Sequence, residues 1–219
     1  MEEGNRLELI DVTRLPLEDA QEGVTIETSG GQVQGILHPG DGKAGVIWVC
    51  GAAGGLGGPS FGIYVDLARE LATQGVASLR LDFRFPGDLP MCVLDVLLGA
   101  TFLVQEGIER VALVGHSFGG AVVIIAGALS RTVRAVVGLS SQTYGAQRVG
   151  ELAPKPLLLI HGERDRNLSP DCSRSIYAWA GEPKELVIYP DNGHFLRECH
   201  DELFALLKGW LLDKLRDEG

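Results

Sequence analysis

The stretch VGHSFGGA, residues 114–121, sets a serine between two glycines at the end of an apolar run. The run RVALVG precedes Ser117 and predicts a strand, while AVVIIAGAL follows it and predicts a buried helix. A sharp strand-to-helix turn crowds the positions two residues before and after its centre, where this sequence has Gly115 and Gly119. Such a turn exposes the serine hydroxyl beside a helix N-terminus, which favours negative charge. We therefore predict that Ser117 is a nucleophile, while the 30 glycines of the chain leave open a chance occurrence of the pattern.

A serine nucleophile needs a base, and the base needs an acid that orients it. His194 lies in DNGHF, just beyond the last apolar run ELVIYP, and Asp165 lies in GERD, just beyond the preceding run PLLLIHG. The order serine, acid, histidine is the one that accompanies serines on strand-to-helix turns. We predict a catalytic triad of Ser117, Asp165 and His194. Three rival acids stand nearby in the sequence: Glu163, Asp171 and Asp191.

The remaining histidines are assigned structural positions. His161 ends an apolar run and is interpreted as a packing residue, and His116 as a residue that fits the turn at the serine. His38 and His200 are expected to be exposed on a loop and a helix.

Acyl transfer also needs two backbone N–H donors for the oxyanion. We predict Phe118, the residue after the serine, and Ala52, in the glycine-rich loop GAAGGLGGPS that follows the run AGVIWVC. Four apolar residues on nearby loops are predicted to contact the substrate, although they could equally belong to the core: Leu56, Phe85, Tyr144 and Phe195.

Short apolar runs alternate with amphipathic segments after about residue 24, which predicts a largely parallel sheet with helices on both faces. The segment VTIETSGGQVQGILH predicts an antiparallel hairpin before the parallel part. We predict about eight strands and five or six helices in one α/β domain over residues 24–219. Residues 1–23 are expected to form an arm or an edge element. Residues 140–155 are too few for a lid domain.

The overall charge and the cysteine pattern exclude several function classes. With 19 basic and 29 acidic residues, the net charge of −10 disfavours nucleic acids and anionic membranes as partners. The segment MEEGNRLELIDV does not resemble a secretion signal, and no apolar run is long enough to span a bilayer, so we expect a cytoplasmic protein. The four cysteines are widely spaced, which predicts neither a metal site nor a disulfide framework.

Taken together, the motifs G-H-S-F-G, G-E-R-D and N-G-H-F resemble those of the α/β-hydrolase family, especially its small lidless serine hydrolases related to dienelactone hydrolases and simple esterases. The resemblance extends from about Val24 to the C-terminal helix. It implies a three-layer α/β-hydrolase fold and cleavage of a small to medium acyl ester or thioester through an acyl-enzyme, without a metal or organic cofactor. One departure is Cys50-Gly51, where many relatives have His-Gly before the oxyanion loop.

Two other functions stay open at this point. The segment CGAAGGLG resembles the nucleotide loop of short-chain dehydrogenases, and Asp82 in LRLDF could hold a ribose of NAD(P). Against this, Pro59 puts the next helix start near Gly58 or Ser60, which makes the loop long for a dinucleotide site, and the Tyr-x-x-x-Lys pair of that family is missing. The second alternative is a hydrolase-shaped protein that binds a partner without catalysis.

Overall fold

The computed structural model describes residues 9–217, in which nine strands form one sheet and five α-helices cover it. The strands are β1 (Leu9–Pro16), β2 (Glu22–Thr28), β3 (Gly31–His38), β4 (Ala44–Val49), β5 (Val76–Leu81), β6 (Arg110–His116), β7 (Val133–Leu139), β8 (Leu157–Gly162) and β9 (Lys184–Tyr189). The α-helices are α1 (Ile63–Ala72), α2 (Leu89–Gln105), α3 (Phe118–Leu129), α4 (Asp171–Trp179) and α5 (His200–Lys214), and a 3-10 helix spans Ala146–Glu151.

The strand order across the sheet is β1-β2-β3-β5-β4-β6-β7-β8-β9. Strands β1, β2 and β3 pair antiparallel, and β3 pairs antiparallel with β5. From β5 to β9 each strand runs parallel to its neighbours. The chain crosses from β4 to β5 on one side and then returns to place β6 on the other side. Ligands of open α/β sheets bind beyond the carboxyl ends of the strands at such a reversal, so the loops after β4 and β6 occupy the expected position of a site.

Two apolar cores give the molecule three layers. Successive side chains of a strand point to opposite faces of the sheet. Ile47 and Leu113 therefore join the core beneath α2, α3 and α4, whereas Trp48 and Val114 join the core beneath α1 and α5. The continuous apolar runs of β4 and β6 follow from this double coverage. No helix in the described part of the chain is long and apolar enough to cross a bilayer.

The predicted three-layer α/β fold with a mostly parallel sheet is confirmed, with two corrections. The sheet has nine strands rather than about eight, because residues 9–16 add β1 antiparallel to β2 at the edge. Helix α1 begins at Ile63 instead of near Gly58 or Ser60, because residues 58–62 include several positive-φ positions that a regular helix does not accept. Residues 1–8 of the predicted N-terminal element lie outside the described residues, and the domain boundary at residue 24 stays a prediction.

Candidate active site

Ser117 occupies the sharp turn between β6 and α3. Its backbone φ of 58° and ψ of −118° lie in a region that residues other than glycine rarely adopt. The Ser117 N–H donates to the Leu139 carbonyl at the end of β7, at 2.8 Å, which ties the turn to the neighbouring strand. A Cβ on Gly115 would lie 2.1 Å from the Gly119 carbonyl oxygen, and a Cβ on Gly119 would lie 2.2 Å from that of Cys50. The glycine spacing of the motif thus has a steric cause.

His194 and Asp165 form a hydrogen-bonded pair beyond the ends of β9 and β8. The distance from His194 Nδ1 to Asp165 Oδ2 is 2.6 Å, and both side chains are almost completely buried. Because the carboxylate can only accept, Nδ1 carries the hydrogen and Nε2 of the neutral ring keeps a free lone pair. This is the tautomer that a general base for a serine hydroxyl requires.

The Asp165 carboxylate is fully hydrogen-bonded. Oδ1 accepts the backbone N–H groups of Asn167 and Leu168 at 2.8 and 2.9 Å. Oδ2 accepts His161 Nε2 at 3.0 Å in addition to His194. Burial by itself raises the pKa of this carboxyl, but the hydrogen bonds from Leu168, His194 and Asn167 outweigh it and hold the pKa below its usual range. Asp165 is therefore ionised at neutral pH and can stabilise a protonated imidazole.

The three rival acids are engaged elsewhere. Glu163 and Asp171 both pair with Arg174, at 2.8 and 2.9 Å, and Asp191 pairs with Arg164. These pairs are exposed on the surface. Asp165 is thus the acid that contacts His194 in the described part of the chain.

His116 contacts both the backbone and the ring of His194. Its Nε2 lies 3.0 Å from the His194 carbonyl oxygen, and the two ring centroids are 4.7 Å apart. Burial lowers the pKa of His116 to about 4, so the ring is neutral at pH 7 and donates to that carbonyl. This contact ties His116 to the loop that carries the base, and its predicted role in fitting the turn at Ser117 stays a prediction.

Three other histidines differ from the sequence-based expectation. His161 is more than a packing residue, because its ring is hydrogen-bonded to Asp165. His38 is buried, since it lies in β3 beside Arg80, whose Nε is 3.1 Å from His38 Nε2. His200 is half-buried, and its Nδ1 lies 2.9 Å from Ser60 Oγ.

Ser117 and His194 line one cleft of about 370 Å³ at the carboxyl edge of the sheet. The main chain of residues 50–55 and 57–58 forms one wall, and His116, Asn167 and Phe195 complete it. Among residues 9–217 the Ser117 hydroxyl makes no hydrogen bond to His194. A larger groove of about 470 Å³ opens at the opposite edge, near Val104 and Thr132, and its lining has no serine, cysteine or histidine.

The two predicted oxyanion donors flank the serine. Ala52 lines the cleft, and the preceding residue approaches the nucleophile closely, because a Cβ on Gly51 would lie 3.8 Å from Ser117 Oγ. Phe118 is the first residue of α3, so its N–H has no acceptor one turn earlier in the helix. Its ring is buried edge-on against Phe83, with centroids 6.1 Å apart.

Of the four predicted substrate contacts, Phe195 lines the cleft and is nearly half exposed. Leu56, Phe85 and Tyr144 are not part of the cleft lining, and the last two are among the most exposed apolar side chains described. Their contact with a substrate stays a prediction.

Two further residues belong to the site: Asn167, which sequence reasoning did not select, and Asp82, which it considered only as a ribose-binding residue of the dehydrogenase alternative. Asn167 lines the cleft, and Asp82 holds the glycine-rich loop, since its Oδ1 accepts the N–H of Gly55 at 2.7 Å and of Phe83 at 2.9 Å. The sequence carried one signal for this, because Asp82 follows β5 at the same edge of the sheet as Ser117.

These contacts argue against a dinucleotide site. Residues 50–62 separate β4 from α1, so no helix N-terminus follows the strand directly, as a pyrophosphate-binding turn requires. The described residues contain no group of three or more histidine, cysteine or acidic side chains that could hold a metal ion.

Comparison with known proteins agrees with this architecture. No family model matches the chain. Dienelactone hydrolase from Anabaena variabilis ATCC 29413 is 20% identical, with a TM-score of 0.74 over 94% of this chain and 99% of that one. The esterase domain of a Rhodothermus marinus protein is also 20% identical, with a TM-score of 0.73 over 90% and 99% of the two chains. The chain therefore has the α/β-hydrolase fold.

A more similar relative by sequence shares only a segment with this chain. The protein YfhR of Escherichia coli O157:H7 is 31% identical over 39% of this chain and 38% of its own length. The chain thus matches well under half of that relative.

Proposed function

We propose that the protein is a serine hydrolase that cleaves a small to medium acyl ester or thioester through an acyl-enzyme. The observation that carries the proposal is the 2.6 Å pair between His194 and Asp165, which shares one cleft with a serine on a strained turn. The solved structures of the same fold include a dienelactone hydrolase and an esterase domain, which favours acyl chemistry by analogy.

In this mechanism His194 Nε2 takes the hydroxyl proton as Ser117 Oγ attacks the acyl carbon. Asp165 stabilises the resulting imidazolium, and the N–H groups of Ala52 and Phe118 receive the oxyanion. The tetrahedral intermediate then expels the alcohol or thiol, which takes the proton from His194. A water molecule gives its proton to His194 and attacks the acyl-enzyme in the same way. The acid is released and Ser117 recovers its proton.

The missing hydrogen bond between the Ser117 hydroxyl and His194 is compatible with His194 acting as the general base. The hydroxyl rotates about χ1, and hydrogen bonds of a catalytic base often tighten only when substrate is bound. His194 is held from two sides, by Asp165 at Nδ1 and by His116 at its carbonyl, so the serine side chain is the part that moves.

The dimensions of the cleft favour a small acyl group. Its volume of about 370 Å³ lies near the lower end of the range for ligand sites. One wall is glycine-rich main chain and the other is apolar at Phe195. We expect short and medium acyl chains to react faster than long ones.

The test is hydrolysis of p-nitrophenyl esters of graded chain length and of an acyl thioester by the wild type and two serine variants. Ser117→Ala should lower kcat/KM by about ten-thousand-fold or more, because the members of a triad act as a unit. Ser130→Ala, at the far end of α3, should retain wild-type activity. Equal activity of Ser117→Ala and the wild type, or no turnover by the wild type, would refute the proposal.

A further inference from the structure

We propose that His161 is a positioning residue that acts on His194 through the Asp165 carboxylate, because both rings share its Oδ2. The inference rests on the proposed function of Ser117, Asp165 and His194, and it adds a second histidine to the same carboxylate. His161 does not reach the cleft itself: its side chain is completely buried, and it is not among the residues that line the cleft.

The contacts of the His161 ring fix its tautomer. Nε2 lies 3.0 Å from Asp165 Oδ2 and 3.1 Å from the Leu168 carbonyl oxygen, and both of these atoms accept only. Nε2 therefore carries the hydrogen. Nδ1 lies 2.7 Å from Ser173 Oγ and must accept a hydrogen bond from the serine hydroxyl. Ser173 is completely buried in α4, so the orientation of the ring is set by the helix packed behind it.

The Asp165 carboxylate connects the two histidine rings. Oδ1 is anchored by the two backbone N–H groups of Asn167 and Leu168, and these bonds also fix Oδ2, because both oxygens rotate together about the Cβ–Cγ bond. His161 approaches Oδ2 from β8 while His194 approaches it from the loop after β9. Without His161, Oδ2 would keep His194 as its hydrogen-bond partner and direct more negative charge toward that ring.

The hydrogen bond from His161 also reduces the negative charge that the Asp165 carboxylate presents to His194. Burial lowers the pKa of His161, although Leu168 and Asp165 oppose this, so the ring stays neutral and competes only as a neutral donor. Hydrogen bonds to an anion disperse its charge, which weakens its attraction for an imidazolium at His194. The titratable groups around His194 are Asp165 and His161 from β8 and its loop, His116 at the end of β6, and Glu198, which accepts the Gly193 N–H at 3.3 Å.

The experiment compares His161→Leu, His161→Gln and Ser173→Ala with the wild type. Leucine has a volume close to that of histidine and no donor, whereas the glutamine amide can still donate toward Asp165. For each protein, NMR of the labelled histidine rings gives the pH midpoint at which His194 titrates and the low-field resonance of its Nδ1 proton. The pH profile of kcat/KM for an ester gives a second midpoint on the acidic limb.

We expect His161→Leu to raise both midpoints by about 0.5 to 1 pH unit, because Oδ2 loses a donor and becomes a stronger acceptor. Ser173→Ala should raise them less, since the His161 N–H is then less polarised, and His161→Gln should restore the wild-type midpoints. A merely structural role would lower the melting temperature and leave the His194 midpoint in place.

An unchanged or lowered midpoint in folded His161→Leu would overturn the proposal. If His161→Leu does not fold, the same result in Ser173→Ala overturns it. The NMR midpoint does not depend on turnover, so this failure is distinguishable from that of the proposed function. A shifted midpoint in a protein without ester hydrolysis would leave the positioning role intact and refute only the hydrolase.

Discussion

Replacing Gly119 by alanine tests the physical basis of the serine turn. Gly119 is the second residue of α3, where alanine is normally favoured over glycine by about 0.5 to 1 kcal/mol. In this chain the new Cβ would lie 2.2 Å from the Cys50 carbonyl oxygen and 3.1 Å from that of Val49. A relaxed carbon-to-oxygen contact is about 3.3 Å or more. The end of β4 and the start of α3 must therefore separate by about 1 Å.

The expected cost follows from that overlap. Overpacking that displaces backbone destabilises by about 1 to 3 kcal/mol, and we expect Gly119→Ala at the upper end because both clashing atoms are main-chain carbonyls. For a chain of this size, 1 kcal/mol corresponds to a change in Tm of about 2–4 °C, so the Tm should fall by about 6–12 °C.

A matched control lies in α5. A Cβ on Gly209 meets nothing within 4 Å, so Gly209→Ala should raise the Tm by about 1–4 °C through helix propensity alone. The assay is thermal unfolding of the three proteins followed by circular dichroism. If Gly119→Ala melts at or above the wild-type temperature, the reasoning about the crowded turn is wrong.

Two further predictions concern His38 in β3 and Asp82 just after the end of β5. Burial and the charge of Arg80 lower the pKa of His38 from 6.5 to about 4. The unfolded chain therefore binds this proton more readily than the folded chain. The stability that neutral His38 contributes is complete above pH 6.5 and is lost as the pH falls toward 4. Between pH 7 and pH 4 the free energy of unfolding, measured with urea, should decrease by about 3 kcal/mol less in His38→Gln than in the wild type. A difference between the two proteins that does not change with pH would contradict this. Asp82→Ala should lower kcat for an ester by about tenfold, because the loop that carries Ala52 loses its bond at Gly55, whereas Asp82→Asn keeps an acceptor and should stay near the wild type. Equal kcat values for the two Asp82 variants would show that the loop does not depend on this bond.

The elements that surround the site could be predicted because their causes are local. Gly115 and Gly119 mark the turn through their spacing, and the apolar runs of β4 to β8 mark strands covered on both faces. Strand β1 could not be distinguished from an arm, because its sequence LIDVTRLP has no regular alternation of apolar and polar residues and six of its eight residues are exposed. Its pairing with β2 is a tertiary contact.

The role of His161 could not be predicted for a related reason. The side chain of a histidine four residues before Asp165 can point either into the core or toward the loop. Its direction depends on how residues 163–168 return to the end of β8, where the Leu168 carbonyl meets His161. That fold is set by the bonds from Asn167 and Leu168 to Asp165, which no periodicity encodes. The burial of His38 likewise depends on a strand neighbour, Arg80, that is distant in the sequence.

The most direct measurement of the central claim is reaction with a fluorophosphonate probe, followed by intact mass and peptide mapping. The account predicts one phosphonylated residue, Ser117, with slow labelling of His194→Ala and none of Ser117→Ala. No modification of the folded wild type, or modification at another residue with Ser117 unlabelled, would contradict it.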